Sequence, residues 1–81
     1  MRVTIRLFAR LRDITGSGEF TRHPPDGATV RTVWDELVND FPALAEYGAS
    51  ISTAVNAEYS NMHAAVGDGD EVAFLPPVSG G

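Results

Sequence analysis

Hydrophobic and polar positions alternate strictly at the start of the chain, in VTIRLFAR. Val3, Ile5, Leu7 and Ala9 fall on one side, and Thr4, Arg6, Phe8 and Arg10 on the other. This is the period-two pattern of a strand with one buried face. RLRDITGSG ends the alternation; it has room for a helical turn before Gly16-Ser17-Gly18 breaks the chain. EFTRH predicts a second strand, stopped by Pro24-Pro25 and the turn signal Asp26-Gly27. Two strands joined by so short a connection predict a hairpin.

The period then changes. Val30, Val33, Trp34, Leu37, Val38 and Phe41 form one apolar stripe at helical spacing, with Arg31, Asp35, Glu36, Asn39 and Asp40 on the other side. Thr29 is the expected N-cap and Pro42 limits continuation. Trp34 lies on the stripe, so it is expected in the core rather than as a ligand platform. ALAEYG has room for one further helical turn. ISTAVN reads as a short strand, AEYS as a turn into another extended piece, and GDGD as a turn. EVAFLP is the last strand, with Val72 and Phe74 on one face and Ala73 and Leu75 on the other.

The order is strand, strand, helix, short strands, strand. One long amphipathic helix needs one apolar sheet face to cover it. A crossover through that helix allows the last strand to pair parallel to the first. The expected fold is α+β, a ubiquitin-like β-grasp: a mixed sheet with one main helix packed on one face. Residues 1–75 are expected to form that domain and residues 76–81 a flexible Gly-Gly tail.

Composition removes most chemistry. Eighty-one residues make one small domain. With no cysteine, thiolate metal sites, disulfides and thiol nucleophiles are out of reach. No apolar run is long enough to span a membrane and no signal peptide is read at the start, so a cytoplasmic protein without a membrane partner is expected. The net charge is −5, and all six cations are arginines. Four of them fall in the first twelve residues, which allows a local basic patch. The overall field still opposes phosphate-backbone binding, so nucleic acid is not an expected partner. His23 and His63 have no metal-ligand spacing, GDGDE lacks the ligand pattern of a calcium loop, and GSG opens no dinucleotide-binding helix. The serines have no His/Asp apparatus around them. No metal site and no bound cofactor are expected in this chain.

What stands out is FLPPVSGG. Pro76 and Pro77 stiffen the exit from the last strand and remove backbone donors. Val78 and Ser79 offer a small anchor. Gly80 and Gly81 pass where any Cβ would clash. The plain alternative is a disordered terminus of small residues. The other reading is a stiff stalk and a thin tip that carry a carboxylate into another protein. Phe8 and Leu75, with Tyr59, fall on the sheet face turned away from the helix, where a large apolar patch can mark an interface. Scattered surface apolar residues remain the ordinary alternative.

Three segments resemble a known family, the MoaD/ThiS sulfur carriers, and within it the small subunits of molybdopterin synthase. GDEVAFLPPVSGG is similar to their C-terminal signature, LFARLRDITG to their first strand and turn, and AVNAEY to their central strand. The resemblance implies a β-grasp sulfur carrier. An E1-like activating enzyme would use ATP to adenylate Gly81, and a sulfur donor would convert it to a thiocarboxylate, with Gly80 kept thin beside it. The carrier would then dock on a large subunit, in a heterotetramer of two small and two large chains. There it would give sulfur to cyclic pyranopterin monophosphate. Catalytic side chains would sit on the large subunit. Phe8, Arg12, Tyr59, Leu75, Pro76, Pro77, Val78 and Ser79 correspond to the docking contacts, although Tyr59 stands where a leucine is common. Sulfur carriers of thiamine or cysteine synthesis and ubiquitin-like protein modifiers share this architecture and remain alternatives, as does a binding module with an inert tail.

Overall fold

The alternation at the start yields strand β1, Val3–Leu7, whose Val3, Ile5 and Leu7 are buried. The strand ends earlier than the alternation predicts. Phe8 is still extended, but Ala9 takes a φ of 50° and opens a short helix α1, Ala9–Thr15. Ala9 and Arg10 therefore leave the sheet, and Ala9 is exposed rather than buried. The connection is two helical turns, longer than the single turn expected. The physical reason is Leu11, which is fully buried and anchors α1 in the core. Gly16 then closes the helix in the left-handed region at φ 83°, its N–H donating to the Arg12 carbonyl. Strand β2, Glu19–Arg22, returns antiparallel to β1, as expected of the hairpin.

Helix α2 spans Val30–Asp40 and buries Val30, Val33, Trp34 and Leu37. Thr29 caps it, with Thr32 completing a reciprocal capping box. Two more first-turn N–H groups are satisfied from outside the helix: Val30 donates to Ala64 O and Arg31 to Met62 O. Pro42 follows and the chain tightens into a 3₁₀ helix, Pro42–Tyr47, pinned by buried Leu44. Strands β3, Ser52–Val55, and β4, Glu58–Ser60, form a hairpin. Asn56 and Ala57 make its two-residue turn, both with positive φ (51° and 69°), the mirror-image geometry that suits strand twist. Strand β5, Glu71–Leu75, completes the sheet.

The strand order is β2-β1-β5-β3-β4, with β1 and β5 parallel and the other pairs antiparallel. This is the expected mixed β-grasp sheet with its helix on one face. The computed structural model describes residues 1–77. The core lies between the sheet and α2, where Ile5, Leu7, Val72 and Phe74 meet Val30, Val33, Trp34 and Leu37. Trp34 stacks obliquely on Phe74, with ring centroids 5.0 Å apart, so it is core as predicted.

A polar clamp ties the start of β5 to its neighbours. Asp70 accepts from Asn56 Nδ2 at 3.0 Å and from the Gly67 N–H at 2.7 Å. Asn56 Oδ1 in turn accepts from the Glu71 N–H, and the Asp70 carbonyl accepts from the Thr4 N–H. The hydrogen bond from Asn56, and after it that from Gly67, holds the Asp70 carboxyl below its ordinary value of 3.8. Because the folded value is the lower one, the clamp's contribution is complete above the unfolded value. It is lost as pH falls through the folded value. Asp70→Asn is therefore expected to cost about 1 kcal/mol near neutral pH. Thermal melts of parent and variant are expected to converge as the pH is taken below 3.8. A gap that stays constant to low pH would show that the charge plays no part.

Candidate functional site

Because β5 runs parallel to β1 in the middle of the sheet, both strands finish at the same end of the molecule. Phe8 and the Leu75-Pro76-Pro77 exit are there. The Asp70 clamp is at the opposite end and takes no part. Leu75 is half-buried opposite Ser52 of β3, Pro76 is half-buried and Pro77 is exposed. The expected stalk thus leaves from the centre of the sheet, not from an edge. Val78, Ser79, Gly80 and Gly81 lie outside the described residues.

The sheet face turned away from α2 carries a continuous cross-strand row. Glu19, Arg6, Ala73, Ala54 and Tyr59 stand opposite one another across β2, β1, β5, β3 and β4. Two alanines in the centre make a flat shelf between Arg6 and Tyr59, and the row beyond it holds Leu75. Tyr59 is 82% exposed and Phe8 40%; among the described residues these are the large hydrophobics on display. Ala54, only 8% exposed, is covered by its neighbours although it faces outward.

Arg6 is held loosely. It lies 3.8 Å from both Glu19 and Glu71, and its guanidinium stands 5.9 Å from the centre of the Phe8 ring. Such exposed pairs contribute little, so Arg6 is available to a partner's acceptor. Arg12 is exposed one helical turn after Phe8. Its stem lies against Gly18: a Cβ there would meet Arg12 Cδ at 3.0 Å. That close approach packs α1 on the start of β2, where the Gly18 carbonyl accepts from the Leu7 N–H at 2.9 Å.

The expected docking residues are therefore brought together unevenly. Phe8, Leu75 and Pro76-Pro77 share one end. Arg12 flanks them on α1. Tyr59 shares the face but sits on the edge strand, two strands from Leu75. Phe8 lies just past the β1–β5 pairing, which stops at Leu7 and Phe74, so it borders Leu75 without being its ladder partner. Sequence reading missed Arg6, Ala54 and Ala73. Arg6 and Ala73 were legible as outward positions of their strands; Ala54 was not, because the register of β3 depends on the β5 pairing.

Among the described residues no group of three His, Asp or Glu side chains is arranged to hold a metal ion. No helix there is long and apolar enough to cross a membrane. What the described residues place together is an outward sheet face beside the exit of β5.

Residues 5–81 match the ThiS family. The molybdopterin synthase sulfur carrier subunit of Arabidopsis thaliana is 42% identical over 98% of this chain and 82% of its own length. Among solved structures, SAMP1 from Haloferax volcanii superposes with a TM-score of 0.89 at 32% identity, covering all of both chains. A chain of the BexX/CysO complex of Amycolatopsis orientalis gives a TM-score of 0.73 at 30% identity, over 98% of this chain and 99% of that one.

Proposed function

This chain belongs to the ThiS family, and on that premise we propose that it is the sulfur-carrier subunit of a molybdopterin synthase. The observation that carries this reading is the family match itself, which runs through Gly80-Gly81 and not merely over the globular part. A carboxylate is a poor electrophile, because its leaving group is oxide. Adenylation of Gly81 by an ATP-using E1-like enzyme supplies a good leaving group, and a sulfur donor then displaces AMP. The resulting thiocarboxylate is a soft nucleophile for a pterin precursor, cyclic pyranopterin monophosphate. The general acids and bases for that transfer belong to the large subunit, on which this chain docks as half of a two-plus-two assembly.

In this reading residues 1–75 are the docking body and residues 76–81 the delivered arm. Phe8, Leu75 and the alanine shelf meet the large subunit, with Arg6, Arg12 and Tyr59 around them. Phe8→Ala is expected to weaken that docking by about 1–2 kcal/mol, roughly five- to thirtyfold in Kd. Its effect on stability is expected to stay within about 0.5 kcal/mol, since Phe8 lies outside the buried core cluster. Titration calorimetry against the large subunit, with a thermal melt of the free variant, checks both halves. An unchanged Kd would remove Phe8 from the interface.

The carrier chemistry is tested by mass spectrometry. Protein recovered from its own cells is treated with a thiol-alkylating reagent at mildly acidic pH. The chain has no cysteine, so one adduct on the Gly80-Gly81 peptide reports a thiocarboxylate. Absence of an adduct, with activating enzyme, sulfur donor and ATP present, refutes the carrier reading. A second reading, that of a ubiquitin-like protein modifier, is favoured by the likeness to SAMP1. It predicts Gly81 in amide linkage to lysines of other proteins.

A further inference from the structure

Away from the sheet face, on the α2 side, a groove runs between α2 and the end of the 3₁₀ helix with the residues just after it. Val38, Ala45 and Ala49 give it apolar walls, and Arg31 and Asp35 stand at its rim. Trp34 and Gly48 also line it. Trp34 is only 3% exposed, yet its indole Nε1–H donates to no acceptor among the described residues. Nor is the atom sealed from solvent: among the described residues the sealed side-chain atom without a partner is Ser60 Oγ, outside this groove. A donor on a buried side chain, open only to a groove, is costly to leave unmatched when water is excluded from it.

Gly48 keeps that donor open. Its backbone is ordinary right-handed helix, φ −55° and ψ −32°, so conformation does not require glycine. Space does not require it either: a Cβ here would stand in van der Waals contact, 3.4 Å from both Trp34 Nε1 and the Ala45 carbonyl, and would partly cover the donor. The rim is electrically balanced, with Arg31 Nη1 4.0 Å from Asp35 Oδ1. A free anion would meet Asp35 and a chain of net charge −5. An uncharged backbone suits the groove better. Its carbonyl can accept from the indole, a small side chain can rest on Val38, Ala45 and Ala49, and an amide N–H can donate to Asp35.

We propose that this groove docks an extended, uncharged peptide segment of a partner protein through a hydrogen bond from Trp34 Nε1–H to a backbone carbonyl. The inference is independent of what the chain's end carries. The groove lies on the helix side, so it leaves the alanine shelf free.

The chain has one tryptophan, so ¹⁵N-labelled protein shows a single indole N–H resonance. The probe is the capped peptide N-acetyl-Ala-Val-Ala-amide. A saturable downfield shift of the indole proton is expected. Gly48→Ala, which the backbone accommodates, is expected to weaken the apparent affinity about fivefold, the worth of one hydrogen bond. An unmoved resonance overturns the proposal, as does a shift undiminished in Gly48→Ala. If acetate alone reproduces the shift, the groove is an anion site and the proposal fails. If the resonance moves on dilution without peptide, a second copy of the chain is the occupant, and the proposal fails equally.

Discussion

A chain that stops at Gly80 is expected to transfer no sulfur at all, while folding and docking as the parent does. The proposed chemistry takes place at one carboxyl carbon, that of Gly81. Truncation moves the reactive carbon back by one residue, about 3.5 Å of extended chain. Misplacement by even about 1 Å costs on the order of a hundredfold in rate. A shift several times larger, at a Gly-Gly tip with no side chains of its own to re-seat it, leaves no productive geometry. The measurement is single-turnover product formation with purified large subunit and precursor, beside calorimetric Kd values for parent and truncated chain. Loss of product with Kd retained within about threefold, less than 1 kcal/mol, is the expected pair. Wild-type turnover by the truncated chain would show that Gly81 is not the sulfur-bearing residue. Gly81→Ala is the gentler companion. It keeps the carboxylate in place and adds only a Cβ, so its defect measures how narrow the partner's channel is.

The second large effect is on stability. Phe74 is fully buried at the centre of the sheet, against Trp34. Phe74→Ala removes a ring from a close-packed core and is expected to cost about 3–5 kcal/mol. The whole domain of 81 residues is expected to have roughly 4–12 kcal/mol of stability, with no disulfide or metal among the described residues to share the burden. The substitution therefore removes about a quarter of that stability or more. The midpoint of thermal unfolding is expected to fall by roughly 12 °C or more. Phe74→Leu, closer in volume, is expected to cost less than half as much. Urea titrations of the three proteins check the order. Equal midpoints for Phe74→Ala and parent would mean that the Trp34–Phe74 contact does not organise the core.

The two effects fall on different parts of one strand. The inward residues of β5, Val72 and Phe74, hold the fold; its outward residues, Ala73 and Leu75, belong to the proposed docking face; its exit leads to the proposed arm. A side-chain period of two lets five residues do all three. Parallel pairing with β1 then places Phe8 beside that exit. Deletion of Gly81 and truncation of Phe74 should therefore be separable, the first silent in unfolding and the second visible there.

Sequence by itself determined the elements whose pattern is local. The apolar stripe from Val30 to Phe41, the Thr29 cap and the Pro42 stop are properties of one helix, and each was readable because helix geometry depends on near neighbours along the chain. The alternation in β1 and β5 likewise told which side chains turn inward. The motif GDEVAFLPPVSGG carried the family resemblance without any structure. Tertiary structure decided what depends on distant contacts. The end of β1 at Leu7 was one such case: the alternation ran on through Arg10, but burying Leu11 in the core turned the chain into α1. The register that sets Ala54 and Tyr59 in line with Ala73 and Arg6 was another, because strand pairing joins residues far apart in sequence. The uncovered indole of Trp34 was a third. Its stripe position said core, and only the packing of Gly48 against it revealed a buried ring whose one polar atom still reaches the surface.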